Sequence, residues 1–276
     1  MFFPGSTISI FPKDTKMCYN ACEKSLKDNK RRNEMNIFKT GPRFIRGYIE
    51  TLRYTSLKKQ FEKLRAAGDI EGEKELVRFG QKRWVEALTP ILGLTYEVKG
   101  EENIPAPEDG PFMIYSNHQS FADICATLWL MKDHGSMGYV SKEEWRKYPI
   151  LRDVVEYSRS IYLVRNNPKE AVKALGEAKK VLDLGFNMCI FPEGTRSQCH
   201  EMGEFKAGAF KFAEKAKVPI LPVTIDGSYH FFEEHGTWNP AHIKVTAHPL
   251  VHIEKMDKHQ QKEAQAQIEA TIRGAL

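Results

Sequence analysis

Residues 95–276 alternate short apolar segments with helical patterns, and this alternation restricts the fold more than any other feature of the sequence. Seven segments predict strands, at residues 95–99, 112–115, 139–141, 161–164, 188–191, 220–225 and 243–248. Five helical patterns separate or follow them, at residues 121–131, 151–156, 169–184, 207–215 and 258–272. Such alternation is typical of an α/β domain with helices flanking a largely parallel sheet, and we predict this domain for residues 93–276.

The composition fits a chain with one sizeable core. Hydrophobic residues make up 41% of the 276 residues, 28% are charged and the mean hydropathy is −0.48, values that describe a soluble protein. No run of about 18 apolar residues occurs, so we predict no transmembrane helix. The N-terminus also lacks the pattern of a secretory signal.

The cysteines favour reduced thiols over a metal site. Their number is odd and their spacing irregular: they are Cys18, Cys22, Cys125, Cys189 and Cys199. Neither the first two nor Cys199 with His200 is joined by the second ligand pair of a zinc site. We therefore predict no bound metal.

Positive charge is concentrated in the N-terminal third of the chain. Residues 1–90 contain 19 Lys and Arg against 11 Asp and Glu, whereas residues 91–276 contain 22 against 25. This asymmetry suggests a polyanionic partner, either nucleic acid or an anionic lipid surface. A solvated charged face is the plainer explanation of the composition alone. Residues 1–40 lack periodicity, and we expect a basic, poorly ordered tail there.

Residues 41–92 predict two amphipathic helices separated by Gly68 and Asp69. Apolar residues at helical spacing form a stripe on the first helix: Phe44, Ile45, Tyr48, Ile49 and Leu52, with Arg43, Arg46 and Arg53 beside them. The second helix has apolar residues from Leu76 to Ile91 with basic residues among them. Such helices either lie in a membrane interface or pack as a hairpin on the main domain, and periodicity does not separate these two arrangements.

The first candidate catalytic motif follows the predicted strand at residues 112–115 and precedes a helix. Its sequence is Asn117-His118-Gln119-Ser120-Phe121-Ala122-Asp123. Positions five apart do not meet on a straight helix, so His118 must lie in the turn, with Asp123 reaching back from the first helical turn. Neutral histidine can accept a proton, and a carboxylate on the other ring nitrogen fixes its tautomer. The pair suits general-base catalysis.

A structural explanation competes with catalysis at this motif. Ser120 and Asp123 have the spacing of a capping box, in which Ser120 would begin the helix. That explanation leaves Asn117 and His118 without a role. Ser120 is a poor candidate nucleophile, because no Gly-x-Ser-x-Gly sequence surrounds it.

The second motif follows the predicted strand at residues 188–191 and reads Phe191-Pro192-Glu193-Gly194-Thr195-Arg196-Ser197. Gly194 lets the backbone come close to a ligand, Thr195 adds a hydroxyl, and Arg196 can hold a phosphate by two parallel hydrogen bonds. The motif therefore suits an oxyanion. The competing explanation is an ordinary turn with an exposed ion pair between Glu193 and Arg196.

The two motifs resemble the first and third signature blocks of the glycerolipid acyltransferase family, whose members include 1-acyl-sn-glycerol-3-phosphate acyltransferases. Ser160-Ile161-Tyr162-Leu163-Val164-Arg165 resembles the second block, although Arg159, Ser160 and Val164 depart from the family pattern. Val218-Pro219-Ile220-Leu221-Pro222-Val223 resembles the fourth block. Phe205-Lys206-Ala207-Gly208-Ala209 resembles a stretch that commonly follows the third. The resemblance covers roughly residues 95–250.

The resemblance implies transfer of a fatty acyl chain from a thioester to the sn-2 hydroxyl of 1-acyl-glycerol 3-phosphate, which makes phosphatidic acid in phospholipid biosynthesis. His118 would be the general base, oriented by Asp123. The phosphorylated acceptor would be bound by Arg165, Glu193, Gly194, Thr195 and Arg196. No covalent acyl-enzyme, metal or other cofactor is needed, since a thiol is a good leaving group. The implied partners are lysophosphatidic acid and acyl-CoA or acyl carrier protein.

Substrates that reside in a bilayer favour the interfacial role of residues 41–92. Basic residues there favour an anionic membrane surface, so we expect a peripheral protein on the cytoplasmic face of a membrane and no nucleic acid partner. The alternatives are an acyltransferase on another lysophospholipid, glycerol 3-phosphate or a non-phosphorylated lipid, a catalytically silent lipid-binding module, and a nucleic-acid-binding protein. The sequence leaves open the donor carrier, the acyl chain length and the oligomeric state.

Overall fold

The computed structural model describes residues 37–164 and 167–276, with side chains from residue 41 onward. The predicted basic tail at residues 1–40 therefore falls outside the described residues, apart from the backbone of its last four.

Seven strands and eight helices of nine or more residues make up the described chain. The strands are β1 (Leu94–Lys99), β2 (Met113–Ser116), β3 (Met137–Lys142), β4 (Ile161–Leu163), β5 (Asn187–Ile190), β6 (Ile220–Asp226) and β7 (Ala241–Ala247). The helices are α1 (Ile37–Thr55), α2 (Lys58–Ala67), α3 (Ile70–Leu92), α4 (Asp123–Met131), α5 (Pro149–Tyr157), α6 (Pro168–Asp183), α7 (Ala207–Ala216) and α8 (Lys258–Arg273). Every strand and helix predicted for residues 95–276 is present, with ends that differ by at most two residues.

The strands form one sheet in the order β1-β7-β6-β2-β5-β3-β4. Strands β2 to β6 run parallel to one another. Strand β7 pairs antiparallel with β6, and β1 continues the sheet parallel to β7. The prediction of an α/β fold with a largely parallel sheet and helices on its faces is confirmed.

Alternate residues of the central strands enter different hydrophobic clusters on the two faces of the sheet. In β2, Met113 and Tyr115 join a cluster with α6, α7 and α8. Phe112 and Ile114 join the other cluster, which contains much of α4 and β7. Both faces of β2 are therefore buried, as expected for a parallel strand under two helical layers. Each fully buried large apolar side chain contributes about 1.5–3 kcal/mol to this core.

The central position of β2 determines where the functional segments meet. Tyr115 aligns with Ile190 of β5 on one side and with Pro222 of β6 on the other. Because the three strands are parallel, their carboxyl ends lie at the same edge of the sheet. The chain segments that follow Ser116, Ile190 and Asp226 are therefore neighbours.

The N-terminal segment contains three helices where the sequence predicts two. The predicted break at Gly68 and Asp69 is present, and Asp69 caps α3 by accepting a hydrogen bond from the Gly72 N–H. The first predicted helix is itself divided at Ser56 and Leu57, which separate α1 from α2. Helix α3 belongs to the core, since Val77 lies in one hydrophobic cluster and Val85 in the other.

A buried ion cluster joins α2 and α3 to the sheet. The carboxylate of Glu73 on α3 is fully buried. It accepts hydrogen bonds from Nε of Arg65 on α2 at 2.6 Å and from Nε of Arg159, just before β4, at 2.8 Å. Arg65 also donates to the Glu156 carbonyl of α5 at 2.8 Å. These bonds link the N-terminal helices to the part of the chain that enters β4.

One side of helix α1 packs on α3, and the helix also contacts α5. Gly47 is buried against Leu88, and the indole N–H of Trp84 donates to the Thr51 hydroxyl at 3.1 Å. Another side of the helix carries the stripe predicted from sequence, and its members are 41–59% exposed: Phe44, Ile45, Tyr48, Ile49 and Leu52.

Within the two described ranges of the chain, no helix is both long enough and apolar enough to span a bilayer.

Candidate active site

The turn after β2 brings His118 against Asp123. Nδ1 of His118 lies 2.7 Å from Oδ2 of Asp123, the first residue of α4. Since a carboxylate only accepts hydrogen bonds, Nδ1 must carry a proton, and in the neutral imidazole Nε2 then keeps a lone pair. The His118 ring stacks on Phe191, with 4.1 Å between ring centres. The imidazole is therefore held on one edge and one face.

Two further donors hold the Asp123 carboxylate. The backbone N–H of Ser120 donates to Oδ2 at 2.8 Å, and the Ser228 hydroxyl donates to Oδ1. Asp123 is fully buried, so every one of these bonds is shielded from water. The capping arrangement expected between Ser120 and Asp123 is thus present in part, and the same carboxylate oxygen also orients His118.

Asn117 has a structural role that the sequence does not reveal. Its side-chain amide exchanges two hydrogen bonds of 2.8 Å with the backbone of Ile225 in β6. The amide therefore continues the pairing of β2 and β6 beyond the end of β2 and fixes the start of the turn that carries His118.

Glu193 lies beneath the turn and binds two backbone groups. Oε1 accepts the N–H of His118 at 2.7 Å, and Oε2 accepts the N–H of Gly203 at 2.9 Å. A Cβ atom on residue 203 would lie 2.9 Å from Oε2, so a larger residue there would require the carboxylate to shift. Burial raises the pKa of Glu193 to about 7, although the N–H groups of His118 and Gly203 act in the opposite direction.

Backbone hydrogen bonds join the two motifs directly. The N–H of Ser197 donates to the His118 carbonyl at 2.7 Å, and the N–H of Gln198 donates to the Gln119 carbonyl at 3.2 Å. Together with the Glu193 bonds, they make the two sequence motifs one structural unit. Thr195 is exposed at the surface of this unit, next to Gly194, whose φ of +69° suits glycine.

Arg196 is bound by Glu233 and not by Glu193. Its NH1 group lies 2.6 Å from Oε1 of Glu233, and its guanidinium carbon lies 3.5 Å from the centre of the Phe121 ring. Glu233 also accepts the Ser120 hydroxyl at 2.5 Å and the Phe121 N–H at 3.2 Å. Burial raises the pKa of Glu233, while the bond from Ser120 and the charge of Arg196 act in the opposite direction. The exposed Glu193–Arg196 pair is not formed.

Ser228 and Glu233 are the site residues that sequence reasoning missed. Both follow β6, the strand beside β2, and reach the first motif across the edge of the sheet. The sequence feature that could have identified them is their position just after a predicted buried strand, which lies parallel to β2 in the structure. Arg165, which the family resemblance assigned to the acceptor site, lies outside the described residues.

In the part of the chain that the structure describes, no three His, Cys, Asp or Glu side chains converge in a way that would hold a metal ion.

The two joined motifs fall within one recognised domain. Residues 95–226 match the profile of the protein family described as Acyltransferase. These residues form an acyltransferase-family domain. The match includes His118, Asp123 and the whole of the second motif, and it ends just before Ser228. The family resemblance read from the sequence is confirmed.

Individual proteins similar to this chain carry more specific names. A chloroplastic 1-acyl-sn-glycerol-3-phosphate acyltransferase from Arabidopsis thaliana is 34% identical over 162 residues, which are 58% of this chain and 44% of that protein. A 1-acyl-sn-glycerol-3-phosphate acyltransferase from Pseudomonas aeruginosa is 32% identical over 165 residues, 59% of this chain and 62% of that protein. The chain thus spans about half the length of the curated relatives it matches.

A solved structure extends the similarity beyond the acyltransferase-family domain. The crystal structure of the 1-acyl-sn-glycerophosphate acyltransferase from Thermotoga maritima superposes with a TM-score of 0.63 at 27% identity. The similar region covers 84% of this chain and 95% of that chain.

Proposed function

We propose that this protein transfers an acyl chain from a thioester donor to the sn-2 hydroxyl of 1-acyl-glycerol 3-phosphate and so makes phosphatidic acid. The observation that carries the proposal is the His118–Asp123 pair, in which Nδ1 is bound and Nε2 is left as the base. The names of the relatives in Arabidopsis, Pseudomonas and Thermotoga support the choice of acceptor.

The proposed reaction needs one base and no covalent acyl-enzyme. Nε2 of His118 takes the proton of the acceptor hydroxyl while the hydroxyl oxygen attacks the thioester carbonyl. Asp123 stabilises the imidazolium that forms. The tetrahedral intermediate then collapses, the carbon–sulfur bond breaks, and the thiolate leaves with the proton that His118 received. Acyl-CoA or acyl carrier protein serves as the thioester in this scheme.

The second motif is proposed to bind the phosphate of the acceptor. Thr195 and the free edge of Arg196 are the side chains of the motif that can donate to phosphate oxygens. Gly194 lets the turn approach them closely. Glu193 is proposed to act through the loop, because both of its oxygens already accept backbone N–H groups. Arg165 stays a proposed phosphate ligand on the sequence resemblance.

We further propose that α1 places the protein on an anionic membrane surface, on the cytoplasmic side. Its apolar stripe is exposed, and the partly exposed Arg43 and the exposed Arg46 lie beside it. Apolar residues on one side with arginines at the margin are typical of helices that lie in a membrane interface. Because the proposed acceptor resides in the bilayer, such a helix would bring the protein to its substrate.

The direct test is thiol release from an acyl-CoA, measured with and without lysophosphatidic acid. We expect acceptor-dependent release by the wild type and a loss of at least about 100-fold in His118→Ala. His259→Ala is the matched control, because His259 is exposed at the start of α8, and its rate should be unchanged.

The same assay separates the competing readings. Release that survives in His118→Ala would show that another group is the base. Faster release with glycerol 3-phosphate or another lysophospholipid would show that this compound, and not lysophosphatidic acid, is the preferred acceptor. Absence of release with both acyl-CoA and acyl carrier protein would favour the catalytically silent lipid-binding module.

A further inference from the structure

The positive charge of Arg196 is already neutralised within the protein. Its guanidinium donates to Glu233 at 2.6 Å, and the side chain of Glu233 is only 2% exposed. The pair therefore contributes no net charge to the surface of the second motif. A phosphate monoester carries a charge of about −1.5 to −2 near neutral pH, so its binding calls for a cation whose charge is not matched.

Lys206 supplies such a cation at the same turn. A Cβ atom on Gly194 would lie 2.9 Å from Nζ of Lys206, so the ammonium group rests against the glycine of the second motif. The backbone N–H of Lys206 donates to the Pro192 carbonyl at 3.0 Å, which fixes the lysine to the loop. Gly203, three residues before it, is held by Glu193.

The ammonium group of Lys206 is free to bind a ligand. Among the residues that the structure describes, no carboxylate lies within ion-pair distance of its Nζ, and the side chain is exposed. Arg273 and Glu269, which lie near the same loop, pair with each other at 2.9 Å. Lys206 thus contrasts with Arg196, whose charge is matched by a buried partner.

We propose that Lys206 binds the phosphate of the acceptor and supplies the net charge by which a phosphorylated acceptor is selected. The guanidinium of Arg196, fixed by Glu233 and Phe121, acts as an oriented hydrogen-bond donor beside it. This inference rests on the proposed function for the identity of the acceptor, and it adds a residue outside the second motif to the binding site.

Binding to a catalytically inactive chain tests Lys206 separately from turnover. The probe is a short-chain 1-acyl-glycerol 3-phosphate below its micelle concentration, titrated calorimetrically into the His118→Ala protein with and without Lys206→Met. We expect the Kd to rise at least about tenfold, because a charge-assisted bond to phosphate is lost. Lys211→Met removes the charge of an exposed lysine on α7, and its Kd should stay within about twofold.

Two additional measurements keep the result specific. Lys206→Arg keeps the positive charge, so it should bind the probe with most of the wild-type affinity. The corresponding monoacylglycerol, which has no phosphate, should bind all variants equally. Equal Kd values for Lys206→Met and Lys211→Met, or an equal loss with the monoacylglycerol, would overturn the proposal.

Failure of the acyl-transfer assignment would look different from failure of this inference. If the wild type binds the probe through Lys206 and releases no thiol, the phosphate site stands and the reaction is wrong. If the wild type releases thiol and Lys206→Met keeps the wild-type KM for the acceptor, the reaction stands and the role of Lys206 is refuted.

Discussion

Asp123 combines two roles that the sequence presents as alternatives. Its Oδ2 accepts the backbone N–H of Ser120, as in a helix cap, and also faces Nδ1 of His118. Because one oxygen serves both, the start of α4 fixes the position of the imidazole. Helix initiation and orientation of the proposed base are thus one structural event in this turn.

Glu193 gives a prediction about pH and stability. Its pKa of about 7 lies above the usual value for glutamate, so between about pH 4.5 and 7 the folded chain binds more protons than the unfolded chain. The stabilisation from this carboxyl group is therefore complete below about pH 4.5 and is lost as the pH rises through 7. Glu193→Gln lacks this titration.

We therefore expect the free energy of unfolding of the wild type, relative to Glu193→Gln, to fall by about 2 kcal/mol between pH 5 and pH 8. Urea denaturation at several pH values measures the difference. Glu204→Gln is the control, since Glu204 is exposed in the same loop. A difference between wild type and Glu193→Gln that does not change with pH would contradict the assignment.

Some contacts of the site could be predicted from the sequence, and others could not. The meeting of His118 and Asp123 followed from their spacing and from helix geometry alone. The partners Ser228 and Glu233 did not, because their contacts depend on which strand lies beside β2. Strand order in a sheet is set by packing across the whole domain, and no local pattern records it.

At the scale of elements, α1 carries an apolar stripe whose side chains are 41–59% exposed, and this gives a prediction about membrane binding. We expect the double substitution Ile45→Ser with Ile49→Ser to weaken flotation with anionic vesicles at least tenfold, since each isoleucine loses about 1.5–3 kcal/mol of apolar burial. Thermal unfolding should change little, because both side chains are largely exposed.

A matched control lies on another helix. Val172 of α6 is 68% exposed, and Val172→Ser should float with vesicles like the wild type. Binding by the wild type should also weaken as salt is raised, because arginines beside the stripe attract anionic lipid. Flotation of the double variant at the wild-type level would exclude α1 as the membrane contact.

Elements of residues 95–276 were predictable because each is bounded by Pro, Gly or polar residues and has a single periodicity. The division between α1 and α2 was not, since Ser56 and Leu57 are neither glycine nor proline. On the two sides of this turn, the Thr51 hydroxyl of α1 accepts a hydrogen bond from Trp84, and Phe61 of α2 stacks on Tyr157 with 5.2 Å between ring centres. No helix-ending residue in the sequence marks this boundary.

At the scale of the whole molecule, the cluster around Glu73 connects the N-terminal helices to the sheet, and we expect Glu73→Ala to lower the free energy of unfolding by about 3–5 kcal/mol. The change would leave two partly buried arginines without their shared partner. Glu71→Ala, on an 82% exposed side chain of the same helix, should change it by no more than about 0.5 kcal/mol.

Chemical denaturation of the three proteins at one pH measures this difference. Two substitutions of similar cost would show that the cluster does not connect the helices to the sheet. The sequence does not reveal this link because Glu73, Arg65 and Arg159 lie in three separate segments. Their charges are indistinguishable in the sequence from those of solvated residues, and only burial marks them as different.

The ring of Phe44 in α1 lies 5.9 Å from that of Trp238, which in turn lies 5.7 Å from Phe231, two residues before Glu233. One short loop therefore separates the stripe of α1 from the partner of Arg196. If α1 rests in a bilayer, the reacting groups are held close to the lipid surface. An acceptor would then be encountered by lateral diffusion, and its mole fraction among the surrounding lipids, more than its concentration in the bulk solution, would govern saturation.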